Sequence, residues 1–248
     1  HLAGNAAAKA RHGMNEAIAR LSTGNRAMYG GDAAGHGAGL QFRAEGKSAY
    51  VAARGAEDGI SFLQAAESAL FEIAAIITRV RELRVQAAQG NNNLFGAGEH
   101  MAIIVEAQAA AAAANAIDAY ELNGTALLTA AVNIITDLDG GTTSLGTAAG
   151  INLDSSSSFV AASTTDTQMA LIQDALGDVA AGQAALKGYQ GALYALAANS
   201  EAAASRLMDT DFAAMSAQLA KFSVLNQSAM AMVAQANQAN SALLSVLQ

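Results

Sequence analysis

The sequence predicts a mainly α-helical protein: a long antiparallel coiled-coil bundle, or rod, of paired N- and C-terminal arms with a small β-hairpin segment between them. Residues 58–90 and 206–248 each carry apolar side chains at three- and four-residue steps, which is the period of a helix face. The chain contains no proline, so nothing in its composition interrupts long helices. Residues 125–165 are instead rich in Ser, Thr, Gly and Asp, which favours turns and short strands.

In the N-terminal arm the expected elements are helix, bend and helix. Residues 5–24 are helical in pattern, and five glycines between Tyr29 and Gly39 predict a bend or loop, because glycine costs about 1 kcal/mol per helix position relative to alanine. Asp58 stands where an N-cap would precede a long helix over residues 59–89. Glycine and asparagine at 90–93 should end that helix.

In the rest of the chain we expect a second helix over residues 98–120, followed by the turn dipeptide Asn123-Gly124. Residues 131–136 favour a strand, so the middle should contain one or two hairpins. Helix should resume at Asp166 and break near residues 209–211. Asp211 is then expected to cap the last helix rather than to act as a catalytic carboxylate.

Composition and spacing exclude several classes of chemistry. The net charge of −8 argues against nucleic-acid binding, and the absence of cysteine removes any thiolate. The four histidines lie far apart, with no metal-ligand spacing among them. No run of eighteen apolar residues predicts a membrane span, and residues 1–11 lack the pattern of a secretory signal. We therefore expect no enzyme activity, no cofactor and no metal, and partners that are neither nucleic acid nor membrane.

The two apolar stripes are the candidate functional residues. Alone, the C-terminal stripe is short of partners, so we expect the stripes to direct assembly of copies of the chain. The members of this predicted assembly stripe are Ile60, Leu63, Leu70 and Ile77 in the first arm, and Leu219, Phe222, Leu225, Met232, Ala236, Leu243 and Leu247 in the second.

Both arms resemble bacterial flagellin, the subunit of the flagellar filament. The N-terminal likeness runs through AIARLSTG at 17–24, DAAG at 32–35 and, most strongly, residues 58–90. LNG at 122–124 is similar to the FNG turn of the family. SRLMDTDFA at 205–213 and MVAQANQ at 232–238 resemble its C-terminal signature. The match implies that the sequence starts roughly ten residues, about three helical turns, later than family members usually do, and Asn240 stands where the family usually has proline.

The resemblance implies a layered filament subunit. Residues 1–30 and 211–248 would form the channel-lining inner layer. Residues 31–124 and 166–210 would form the outer tube, and residues 125–165 would replace the outer domains of longer members, which implies a thin, smooth filament.

It also implies partners and a location. The partners would be other copies of the chain, the filament cap, hook-junction proteins and an export chaperone. Type III export would place the chain outside the cell without a cleaved signal peptide. Arg79 and Leu83 match an epitope of an innate immune Toll-like receptor, although subunit packing explains the same residues.

Two alternatives remain at this point. A hook-associated junction protein shares flagellin-like ends, and a non-flagellar helical binding or adhesion module would share the helical pattern. Filaments micrometres long distinguish a filament subunit from a module that forms small closed oligomers.

Overall fold

The computed structural model describes residues 2–26, 32–89, 96–129, 132–135, 141–145 and 162–246. Within them lie helices α1 (Leu2–Thr23), α2 (Ala33–Gln89), α3 (Ala97–Asp118), α4 (Ala162–Met208) and α5 (Phe212–Val246), and strands β1 (Glu121–Leu122), β2 (Thr125–Ala126), β3 (Val132–Ile135) and β4 (Thr142–Leu145). The predicted class is confirmed: long helices with a small hairpin segment between them.

The main departure from the sequence prediction is helix α2. It runs unbroken for 57 residues, about 85 Å at 1.5 Å per residue, so the predicted bend is wrong from Ala33 onward. Residues 27–31 lie outside the described part of the chain. Asp58 is an exposed residue inside the helix and does not cap it. The cap is Asp32, whose Oδ1 accepts a hydrogen bond from the amide of Gly35 at 2.9 Å.

Three glycines in α2 (Gly39, Gly46 and Gly59) lie where the helix meets another element closely, so their missing side chains make room for that contact. A Cβ on Gly39 would collide with the side chain of Met208. A Cβ on Gly46 would lie 3.2 Å from the carbonyl oxygen of Ala197. Tertiary contact thus outweighs the propensity that predicted a loop.

The chain forms two compact units. The terminal unit comprises His1–Lys47 with Ala197–Gln248, and the central unit comprises Ser48–Leu196. In the terminal unit α1 and α5 pack antiparallel: Gly13 faces the ring of Phe222, and near the other end Gly24 O accepts from Thr210 N at 2.8 Å. The predicted break before α5 is confirmed, as is its cap, since Asp211 Oδ1 accepts from the Ala214 amide at 3.0 Å.

The central unit contains the large apolar core, built from α2, α3, α4 and the hairpin segment. Helices α2 and α4 are antiparallel, because Glu57 and Glu67 accept from Gln190 at 2.7 Å and Gln183 at 2.8 Å, in reversed order. The largest fully buried side chains of this core are Leu70, Ile73, Ile77, Leu83, Leu128, Ile172, Leu186, Val80 and Val179.

The middle of the chain supplies two antiparallel hairpins. The turn between β1 and β2 is Asn123-Gly124 as predicted, with φ of 53° and 76°. Positive φ at both positions is the type I′ geometry that matches strand twist. The second hairpin pairs β3 with β4 and brings Ile134 onto Gly59 of α2, whose missing side chain makes room for it.

Helices α2 and α3 are also long and apolar enough to cross a membrane by length and composition. Both contribute an apolar face to the core of the central unit. In α3 the buried residues are Ala107, Ala111 and Ala114.

Candidate assembly site

The N-terminal part of the predicted assembly stripe lies inside the central unit. Leu63, Leu70 and Ile77 are at most 3% exposed and belong to the apolar core, and Ile60 packs against that core. Helical periodicity identified the apolar face of α2 correctly. It could not show that α3, α4 and the hairpins of the same chain cover this face.

The residues of the C-terminal part of the stripe differ in their burial. Leu219 and Phe222 are half-buried, and Phe222 packs on Gly13 of α1. Leu225 and Met232 remain 46% and 66% exposed, and Ala236 is exposed too. Leu243 belongs to α5, with its side chain outside the described part, and Leu247 lies beyond the described residues.

The structure adds apolar side chains that the stripe omitted. Val224 and Met230 on α5 are 61% and 48% exposed, and Ile18 on α1 is 47% exposed. We call Val224, Leu225, Met230 and Met232 the α5 surface. Val224 and Met230 depart from the main helical period, so only their size and apolar character could have indicated them. Large contiguous apolar patches in contact with water are typical of interaction sites, and these four residues are the candidates on α5.

The immune-receptor residues differ in accessibility. Arg79 is an exposed residue of α2 whose guanidinium contacts Glu106 at 2.9 Å and Glu82 at 3.1 Å. These hydrogen bonds, with that to Glu106 the stronger influence, raise the pKa of Arg79. Leu83, in contrast, is 1% exposed and belongs to the core. Of these two residues, therefore, Arg79 has its side chain at the surface of the central unit and Leu83 does not.

One cavity of about 350 Å³ lies near the end of α2. Leu83, Ile103 and Ala107 supply apolar lining. At its edge Arg81 pairs with Asp166 at 3.3 Å, and Arg84 donates to the hydroxyl of Thr165. These are contacts between α2 and α4 at the cavity edge, and the exposed ion pair among them contributes little to stability. Among the described residues no three His, Asp or Glu side chains are grouped so as to hold a metal ion.

Comparison with known proteins agrees with this helical arrangement. The model of the bacterial flagellin N-terminal helical region matches residues 3–133, and that of the bacterial flagellin C-terminal helical region matches residues 162–247. The chain belongs to the bacterial flagellin family. It is thus a structural subunit of the flagellar filament, and nothing in the comparisons supports a junction protein or an adhesion module.

Several flagellins match along nearly the whole chain. Flagellin FlaB2 of Treponema pallidum is 30% identical, with 93% of this chain and 91% of the relative covered. The flagellar filament 33 kDa core protein of Treponema phagedenis is 31% identical over 92% and 90%. A flagellin of Halalkalibacterium halodurans is 30% identical over 94% and 91%. The chain is therefore a short flagellin, similar in length to these relatives.

Proposed function

We propose that this flagellin polymerises into a helical, extracellular filament through the α5 surface, and that the filament serves swimming motility. The observation that carries the proposal is the exposure of Val224, Leu225, Met230 and Met232 on a helix whose only buried apolar residue, among those described, is Ala229. Helix α1 covers one side of α5, where Arg11 contacts the Met230 sulfur at 3.3 Å, and leaves these four side chains partly exposed.

The energetics favour burial of this surface between subunits. Fully burying one large apolar side chain that starts fully exposed contributes about 1.5–3 kcal/mol, and each of these four, which are 46–66% exposed, contributes roughly half of that. Four such side chains per subunit offset a substantial part of the several kcal/mol that association costs in lost translational and rotational freedom. In the proposed contact the α5 surface meets a different surface on the next copy, and such a contact extends into a helix of subunits when its rotation does not close into a ring.

The layers follow the order of the chain. Residues 1–30 and 211–248 form the inner layer, residues 31–124 and 166–210 form the outer tube, and residues 125–165 lie at the outer face. This middle segment is too short for a further domain of usual size. The filament is accordingly thin and smooth.

A charge placed in the α5 surface tests the proposal. The double variant Leu225→Asp, Met232→Asp should remain a helical monomer and give no filaments in pelleting assays or electron micrographs, since burial would desolvate two carboxylates. The matched control is Gln227→Asp, which adds a carboxylate at an exposed polar position of the same helix and should polymerise. Filaments of the double variant at the wild-type protein concentration contradict the proposal.

Other partners follow from the family. The proposed partners are the filament cap, hook-junction proteins and an export chaperone, with export by the flagellar type III route. A Toll-like receptor would contact Arg79 directly, whereas Leu83 would hold the epitope in shape from within the core. Arg79→Ala should then weaken receptor binding without changing helical content, and undiminished binding would remove Arg79 from the epitope.

A further inference from the structure

Two tyrosine rings from different helices are in contact within the central unit. Tyr50 of α2 and Tyr194 of α4 have ring centroids 5.8 Å apart and an interplanar angle of 64°, an edge-to-face arrangement. Tyr50 is 51% exposed and Tyr194 is half-buried, so both rings are in part accessible from solvent. It is the one pair of aromatic rings in contact among the residues that the structure describes.

A carboxylate is hydrogen-bonded to one of the two phenols and can accept its proton. Tyr194 Oη donates to Glu57 Oε1 at 3.0 Å, and Gln190 Nε2 donates to the same oxygen at 2.7 Å, which holds the carboxylate in place. Partial burial, followed by the hydrogen bond to Glu57, raises the pKa of Tyr194. The phenol is therefore protonated at neutral pH, and its oxidation must release a proton together with the electron.

We propose that Tyr50 and Tyr194 form an oxidative cross-linking site that joins α2 to α4 as dityrosine. A haem peroxidase supplied with hydrogen peroxide removes one electron and one proton from each phenol. The two tyrosyl radicals form a carbon–carbon bond between ring positions ortho to the oxygens, and each ortho hydrogen then moves to its phenolic oxygen. The product has lost two hydrogen atoms in total, and one hydrogen peroxide has become two waters.

The geometry favours coupling within one chain. The two rings are already in contact, so their effective concentration far exceeds that of tyrosines on separate chains in dilute solution. The bond would link positions 144 residues apart in a chain that has no cysteine. Like a disulfide, it would restrict the unfolded state and stabilise the central unit.

The test is peroxidase treatment of the full-length chain, followed by proteolysis and mass spectrometry. We expect a cross-linked peptide pair containing residues 50 and 194, lighter than the sum of its parts by two hydrogen atoms. The treated monomer should migrate as a single chain and unfold at a higher temperature. Tyr50→Phe should abolish this product, whereas the control Tyr189→Phe, which alters an exposed tyrosine of α4, the helix of Tyr194, should leave its yield unchanged.

A second variant separates proton acceptance from ring contact. Glu57→Gln keeps a hydrogen-bond acceptor but removes the base, so the cross-link should form more slowly at neutral pH while circular dichroism stays unchanged. The proposal is overturned if Tyr50→Phe leaves the yield intact. It is equally overturned if the products are distributed among Tyr120, Tyr189 and the pair alike, or if only cross-links between chains form.

Discussion

At the scale of single residues, the glycines of α2 show that tertiary contacts can outweigh the low helix propensity of glycine. Gly59 is buried beneath Ile134 of β3 and Leu186 of α4, and an added Cβ would collide with Ile134 and lie 3.0 Å from the Leu186 methyl carbon. Gly55, one turn earlier in α2, has no atom within 4 Å of the same position. The two glycines thus share a helix and a backbone conformation and differ in what they touch.

This pair makes a matched mutational test. Gly55→Ala should stabilise the central unit by about 0.5–1 kcal/mol, because alanine is the better helix former. Gly59→Ala gains the same propensity but overpacks the core, which typically costs about 1–3 kcal/mol, so we expect a net loss of stability. Urea unfolding followed by circular dichroism measures both changes. Equal stabilisation by the two substitutions would show that the hairpin does not press on Gly59.

At the scale of elements, sequence patterns located most helices but not their partners. The ends of α3, the Asn123-Gly124 turn and the break before α5 were predictable because each depends on neighbouring residues. The continuity of α2 was not, because Gly39 and Gly46 are tolerated through contacts with α4. The same limit applies to assembly: α2 and α5 have similar apolar periods, yet the predicted stripe of α2 is covered by the same chain, whereas Leu225 and Met232 of the stripe on α5 stay exposed.

Removal of residues 219–248 tests the role of α5 as an element. It deletes the α5 surface and the Phe222 contact with α1, but no residue of the central unit. We expect filament formation to stop, while the central unit keeps its helical signal and its unfolding midpoint. Leu243→Asp, in the same helix, should act in the same direction. Filaments of normal yield from the shortened chain would contradict the assignment of assembly to α5.

At the scale of the whole molecule, net charge opposes the association of subunits, whereas burial of apolar surface favours it. Each subunit carries a formal net charge of −8 at pH 7, so subunits repel one another as they approach. Salt screens this repulsion, since the Debye length falls from about 30 Å at 0.01 M to about 8 Å at 0.15 M ionic strength. Apolar burial is much less sensitive to salt in this range.

Filament formation should therefore become easier as salt is added. The lowest protein concentration that gives filaments in sedimentation assays should decrease as the ionic strength is raised from 0.01 M to 0.15 M, because screening becomes stronger over this range. Sodium and potassium chloride at equal ionic strength should act alike, which separates screening from specific ion binding. A rise in that concentration with salt would instead indicate that ion pairs between subunits dominate the contact.

The close contacts at Gly39, Gly46 and Gly59 also limit which amino-acid replacements this protein can accept during evolution. A larger residue at any of them must be accommodated by a simultaneous change in Met208, in the backbone near Ala197, or in Ile134 and Leu186. Gly37 and Gly55 of α2, where an added Cβ would have no atom within 4 Å, can be replaced without such a second change. Among the glycines of the long helix, replacement thereby requires a compensating change at Gly39, Gly46 and Gly59 and requires none at Gly37 and Gly55.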